Sequence, residues 1–467
     1  MIDDRGGEHQ IADLVTLDEQ DAHGGEHQST LAPLARPEAR RAFVLMDMNY
    51  NRWLASACAV YIAFAATNFG TFWRSSAFVA ILLLVAGQAW RWRRGDGHPP
   101  PWPPATILVP VGCWFAWSAL SWFWSIDPRY TRHELKGEIL DNALLAGAFY
   151  IAAANFANLH KIAGGVLISL VALATAACAM ALLPGGWNPN SMHAGSGSYS
   201  TFIVLAAPWL ILALVPQPLG LANGHDGRIA ALLFLPLLLA SARLTDARMV
   251  WIALLGAMLA AIAGIAWRWP RLAQRARWPW YALFVGIAAV LGLAFFMAAH
   301  DRAEARYPPH TSVEQSLAGD PRLALWARVA DKIEARPIAG YGFGRHILAG
   351  ELVRELADPL LAHAHNLFVG QWLQTGIVGL VAFSLALAGM AWRFAGYLRA
   401  ASDELAILGL LGLVILVGFL LKNVTDDFLF GNSAKALWCM TAALLGLGER
   451  LHARSIAPVL DPRPQPG

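Results

Sequence analysis

The chain has 467 residues, 57% of them hydrophobic and 14% charged, with 35 Lys+Arg against 32 Asp+Glu for a formal net charge of +3. Soluble domains carry roughly 25% charged residues, so this balance, with a mean hydropathy of +0.45, excludes an ordinary water-soluble globule. It predicts an all-α polytopic membrane protein, and the small net charge offers no footprint for nucleic acid. Cys58, Cys113, Cys178 and Cys439 lie in apolar runs at unrelated spacings, which argues against a disulfide framework or a zinc site.

Residues 1–45 are polar and contain Gly-Gly-Glu-His-Gln twice, at 6–10 and 24–28. No apolar core follows Met1 closely, so a signal peptide is not expected; the segment reads as a disordered cytoplasmic tail. A spanning helix needs about 20 mostly apolar residues. Twelve stretches qualify: 53–70, 74–92, 104–123, 136–156, 162–183, 198–215, 228–243, 249–267, 279–299, 366–392, 405–421 and 434–449. The chain thus divides into spans one to nine over 46–299, a large outward loop over 300–365, spans ten to twelve over 366–450, and a second tail over 451–467. Basic clusters follow the second span (Arg91, Arg93, Arg94), the eighth (Arg268, Arg271, Arg275, Arg277) and the tenth (Arg393, Arg399). Twelve spans place all three on one side, the cytoplasmic one by the positive-inside rule, together with both termini.

The opposite side receives Asp127–Lys136, the Gly/Ser/Asn-rich 185–198, the short turn before Arg248, and the long loop. Within that loop Leu323, Trp326, Val329, Ala330 and Ile333 recur at helical spacing. Pro337-Ile-Ala-Gly-Tyr-Gly-Phe-Gly344 then forces a turn, and a second short helix is predicted from His346 to Ala357, ending before Pro359. The loop reads as a folded cap.

The chemistry concentrates where the loop re-enters the apolar helix, at Leu361-Ala-His-Ala-His-Asn366. A helix N-terminus disfavours imidazolium, so His365 is a candidate general base; the bland alternative is an interfacial or capping histidine. His363 is a candidate supporting residue whose ring shares a face with His365 only if the backbone is extended. Arg248, at the outer end of the eighth span, and Arg322, at the start of the loop helix, carry forks that match phosphate oxygens; the alternatives are an interfacial pair with Asp246 and a solvated surface charge. Asp426-Asp427 could hold a divalent cation, and Arg129, Arg132 and Lys136 could touch headgroups. The spans are otherwise nearly uncharged, with Glu138 and Asp141 the main exceptions.

These parts together resemble the O-antigen ligase family and its relatives, the O-antigen polymerases and O-linked oligosaccharyltransferases. The resemblance lies in the twelve-span layout, in Arg322-Leu-Ala-Leu-Trp326, in Pro337–Gly344, and in His365-Asn366 followed after nine residues by Gly376-Ile-Val-Gly379. Its specific part covers about 245–380. It implies an undecaprenyl-pyrophosphate-linked glycan as donor and lipid A–core oligosaccharide as acceptor, joined by inverting transfer at the periplasmic face of the inner membrane without metal or other cofactor. Arg248 and Arg322 would bind the pyrophosphate, His365 would activate the acceptor, and His363, Asn366 and Trp326 would support them. The sequence departs from the pattern at Thr245-Asp-Ala before Arg248, where relatives often carry Ser, so Arg243 stays a second candidate for that arginine. Trp326 stands where relatives often have Leu. A polymerase or a protein-glycosylating enzyme of the same superfamily is the nearest alternative. A lipid-linked glycan flippase would instead need charge at mid-membrane.

Overall fold

The computed structural model describes residues 37–95, 98–184, 186–188, 190, 195–214, 225–270, 286, 289–297 and 321–456. Among them all regular structure is helical: α1 Pro37–Ala65, α2 Thr71–Arg93, α3 Ala105–Leu120, α4 Pro128–Glu134, α5 Asp141–Ala152, α6 Phe156–Ala181, α7 Ser196–Ala206, α8 Leu210–Leu214, α9 His225–Arg243, α10 Arg248–Arg268, α11 Pro321–Ala335, α12 Ala349–Leu356, α13 Leu367–Arg399, α14 Asp403–Lys422 and α15 Gly431–Ile456. Among the described residues six helices are long and apolar enough to cross a membrane: α2, α3 with its 3-10 extension to Phe123, α6, α10, α13 and α14. Segments 1–36, Arg271–Arg277, most of the span expected at 279–299, and 300–320 of the outward loop lie outside the described residues.

Helix ends depart from the apolar runs because helix formation needs good helix formers rather than apolar ones. α1 begins at Pro37 rather than near 53, taking in 37–45, and α15 runs on to Ile456. The span expected at 136–156 belongs to a longer helix that enters through α4, widens into a π turn over Leu135–Leu140, and continues as α5. Both cap helices form, α11 over Pro321–Ala335 and α12 over Ala349–Leu356, the second ending at Ala357 in a left-handed turn (φ 53°).

α13 is interrupted at Gly376, whose φ of 67° and ψ of −173° are accessible to glycine alone. The interruption frees backbone groups that a membrane-embedded helix must satisfy internally, and the Pro337–Gly344 turn satisfies them. Tyr341 N donates to Leu373 O (3.1 Å), Gly342 N to Gln374 O (2.9 Å), and Ile377 N to Pro337 O (2.9 Å). Trp117 Nε1 takes Thr375 O at 2.7 Å. Positive φ at Gly340, Gly342 and Gly344 lets the turn lie this close to α13. Leu325, Val329, Tyr341, Ile347, Leu352, Leu361 and Leu373 form a core of their own that fastens the cap to α13. Lys332 Nζ, bonded to Glu351 (2.8 Å) and Glu355 (2.9 Å), clamps α11 to α12.

The main core is aromatic around Trp114, whose ring lies 5.1 Å from Phe383 and 5.9 Å from Trp438, with its Nε1 donated to the buried Gln371 at 3.1 Å. Polar contacts sort to two ends of the bundle. At one end Arg393 grips Glu449 with two 2.5 Å bonds, Arg268 meets Asp403 at 2.9 Å, and Arg450 donates to the carbonyls of Tyr150 (2.9 Å) and Ile151 (3.0 Å). The other end carries the cap.

Candidate active site

The site is built on the first turn of α13. Asn366 is its N-cap in extended conformation, accepting Phe368 N and Val369 N on Oδ1, both at 3.0 Å, and donating Nδ2 to Val424 O at 2.7 Å. The amide accepts on one atom and donates from the other, so a single Asn both caps α13 and holds the 423–430 loop. Leu367 N also donates to Asn423 O (3.1 Å), so the 423–430 loop is laced to the helix start.

His365 sits at φ 49°, in the left-handed region, where His is among the few non-glycine residues found. This turn brings its ring over that of His363, with centroids 3.8 Å apart and planes 32° from parallel. His365 Nε2 lies 2.8 Å from Leu360 O. A carbonyl only accepts, so Nε2 carries the proton and Nδ1 holds the lone pair. Nδ1 is enclosed and has no hydrogen-bond partner among the described residues. Burial pushes the His365 pKa down and Arg322 and Arg345 add to it, against the Leu360 bond and Asp426. The ring is thus neutral at neutral pH, with one enclosed nitrogen that holds its lone pair unused.

His363 is buried, and its Nε2 accepts from Arg345 Nη2. His346 lies edge-on to it at 5.3 Å. Burial first and Arg345 second push His346 down to about 4 and His363 further. The Arg345 guanidinium stacks on Phe430 at 4.1 Å and Phe428 at 5.3 Å. Gly344 N is held by Gln374 (3.1 Å) and His346 N by the Tyr130 hydroxyl (3.0 Å).

Cations ring the 423–430 loop. Asp426 receives Lys422 Nζ at 2.5 Å on one oxygen and Arg322 Nη2 at 3.7 Å on the other. Lys422 is fully buried and lies 5.0 Å from the Phe428 ring. Asp427 is buried, and its pKa is raised to about 6 by burial despite the nearby Arg345. Three cations therefore face two carboxylates, one of them partly protonated near neutrality.

Arg322 thus pairs with Asp426, and both charges act on His365. Arg248 opens α10, which runs antiparallel to α14, with Gly256 against Leu421 and Gly264 against Leu410. That register brings Arg248 to the same end as Lys422. Asp246, weighed above as a partner for Arg248, is taken by Arg243 at 2.9 Å. Trp326 Nε1 donates to Ala364 O at 2.9 Å and ties the His363-Ala-His365 run to α11. With Trp372, Val369, Ile333 and Asn366 it lines a mainly apolar groove of about 400 Å³ beside His365. Asp426 is engaged by its two cations, and from the 127–136 segment it is Tyr130 and Glu134 that face Arg345.

Arg345, His346 and Lys422 were not marked by the sequence. The available signal for the first two was a basic pair directly after Gly-Phe-Gly; for Lys422 it was a cation ending an otherwise uncharged apolar run.

Residues 231–384 match the family model described as O-antigen ligase. The matched segment holds Arg248, Arg322, His363, His365 and Gly376, so the resemblance read from the motifs is borne out there. The chain is also similar to proteins named "Putative polysaccharide ligase" from Rickettsia. It is 37% identical over 86 residues to that of Rickettsia typhi, covering 16% of this chain and 21% of the relative. For Rickettsia conorii the values are 32% over 118 residues, 22% and 27%; for Rickettsia felis, 31% over 116 residues, 22% and 28%. These alignments span about a quarter of the relatives' length.

Proposed function

We propose that this protein is a glycan ligase of the inner membrane, transferring a glycan from undecaprenyl pyrophosphate to lipid A–core oligosaccharide at the periplasmic face. Twelve spans, with both termini cytoplasmic and the cap outward, complete the reading; the gathering of the cap, the 423–430 loop and the start of α10 at one end supports it. The observation that carries the chemistry is His365, held neutral near Arg322 with an enclosed Nδ1 that has no hydrogen-bond partner among the described residues and that the acceptor hydroxyl would fill. The acceptor hydroxyl gives its proton to Nδ1 while its oxygen attacks the anomeric carbon. The bond to pyrophosphate breaks, and its electron pair leaves with the phosphate. Arg322 and Arg248 meet that developing charge, which is the largest single contribution such a site can make. One displacement with one base inverts the centre and needs no covalent enzyme intermediate. Metal is not required in this scheme, since cations of the chain stand where the leaving group departs. The groove between Trp326 and Trp372 suits the hydrocarbon of the lipid-linked donor, because it is mainly apolar and lies along the first turns of a membrane-entering helix.

The test is transfer in vitro by purified protein given the polyprenyl-pyrophosphate glycan and lipid A–core, with wild type set against His365→Ala and with chelator present or absent. Transfer by wild type only, insensitive to chelator, is the expected result. Elongation of the donor glycan without transfer to lipid A–core would make the chain a polymerase, and movement of labelled donor across the bilayer without transfer would overturn the enzyme reading.

A further inference from the structure

One group of buried charge has no part in the mechanism above. Arg345 sits at the back of the site, stacked on Phe430 and Phe428 and bonded to His363. Tyr130 and Glu134 from the α4 side, Asp426 and Asp427 from the loop, and His346 from its own segment also face it. It shares a small polar cavity with Glu134, Glu138, Gln371, Gln374 and Asp427. Two features separate it from Arg322. Its guanidinium is enclosed by aromatic rings, and the group it donates to is an imidazole rather than an acid.

A guanidinium only donates, so the His363 nitrogen that faces it must be a bare acceptor. That fixes His363 as the Nδ1–H tautomer and excludes its protonated form, which would set N–H against N–H. The His363 ring is then locked in place, and the His365 ring rests on it with centroids 3.8 Å apart and planes tilted by 32°. His365 needs such a support, because its backbone is in the left-handed region and its other anchor is a single bond to Leu360 O.

We propose that Arg345 is a positioning residue for His365: by holding His363 at Nε2 it fixes the ring on which His365 stacks and aims the His365 Nδ1 at the acceptor. The idea rests on His365 being the base. It gives Arg345 a task different from binding pyrophosphate, although all three arginines gather at one end of the molecule. It gives the two histidines, separated by Ala364, different tasks: one reacts and the other is its platform.

The experiment compares wild type with Arg345→Gln, Arg345→Lys and His363→Phe, each checked for a monodisperse profile on size exclusion. Two readouts are taken. The first is steady-state transfer, with kcat separated from the KM for the lipid-linked donor. The second is NMR titration of labelled histidines in detergent, assigned with single His variants, which needs no activity. Arg345→Gln should lower kcat roughly a hundredfold, as misplacement of a reacting group does, with donor KM unchanged. Its His365 titration should rise toward the ordinary ~6.5. His363→Phe keeps a ring for stacking but has nothing for Arg345 to hold, and should lower kcat with the same unchanged KM. Arg345→Lys retains a donor and should fall between. If Arg345→Gln does not fold, the other two variants decide. An intact kcat with a raised donor KM would make Arg345 a third pyrophosphate ligand and overturn the proposal, as would an unmoved His365 titration. Absence of transfer in wild type would sink the ligase reading, while the His365 titration in His363→Phe, which keeps the Arg345 charge, would still decide whether the Arg345–His363 contact positions His365.

Discussion

At the scale of the single residue, the site depends on which nitrogen of which ring is bare. Replacing His365 by Ala removes the base and should reduce transfer by about 10²–10⁴-fold, with expression unchanged; near-wild-type turnover would remove it from the mechanism. The acid limb of kcat/KM gives a sign that can be worked out. A free His titrates near ~6.5, and His365 is shifted below that by burial and by the two arginines. The base therefore stays neutral as pH falls through 6.5, and activity should persist below that point, declining only at more acid pH. An inflection at or above 6.5 would contradict the burial argument. Arg322 is the second test. Its neighbour Asp426 is already held by Lys422 at 2.5 Å, so loss of the guanidinium should not strand an unpaired carboxylate. Arg322→Ala should raise the donor KM, and Arg322→Lys should rescue poorly because an ammonium lacks the planar fork.

At the scale of the element, the decisive feature is the broken helix α13. Gly376→Ala would place a Cβ against the Ile338 carbonyl and force a non-glycine residue into a conformation it resists. The strain term alone is about 1–3 kcal/mol. A lowered thermal midpoint and loss of the cap's protection in hydrogen exchange are the expected outcomes; wild-type values for both would mean that the break can close. This element also shows what a sequence can reveal. Gly376 and Gly379 were legible as spacing after His365-Asn366, but not as a break, because a single Gly in an apolar run is tolerated by ordinary helices. The reason for the break lies thirty to forty residues upstream, in backbone groups of Pro337, Tyr341 and Gly342 whose pairing has no side-chain signature. His365, Arg322 and the cap helix could be read because each rests on a local pattern. Arg345 could not: its partner His363 lies 18 residues away across an intervening helix, and only the fold brings the two together. Lys422 was hidden for another reason: its partner Asp426 is only four residues on, but lies past the end of α14 and reads as a loop carboxylate until the loop is closed.

At the scale of the whole molecule, the argument concerns which end faces which side. The end with Arg393–Glu449, Arg268–Asp403 and Arg450 is held by ion pairs and helix-end carbonyls, while the end with His365 gathers its cations around a loop and a cap. The positive-inside rule predicts that the first end faces the cytoplasm, because Arg268, Arg393 and Arg399 close apolar helices there. A labelling experiment decides the matter, and both positions can be chosen on exposure. Gly350, in the first turn of α12, and Ala401, between α13 and α14, are both exposed. In a background with Cys113 and Cys178 replaced by Ser, Cys58 and Cys439 remain buried and silent. A membrane-impermeant maleimide applied to spheroplasts should label Gly350→Cys at once and Ala401→Cys only after permeabilisation. The reverse pattern would put the base and the arginines in the cytoplasm, where a lipid A–core acceptor displayed on the outer face could not reach them. Labelling of both positions without permeabilisation would mean an odd number of crossings between α12 and the α13–α14 turn does not exist. The helix between them, α13, would then have to lie along the membrane rather than pass through it, and its 33 residues with a break at Gly376 would need to be read as a re-entrant element.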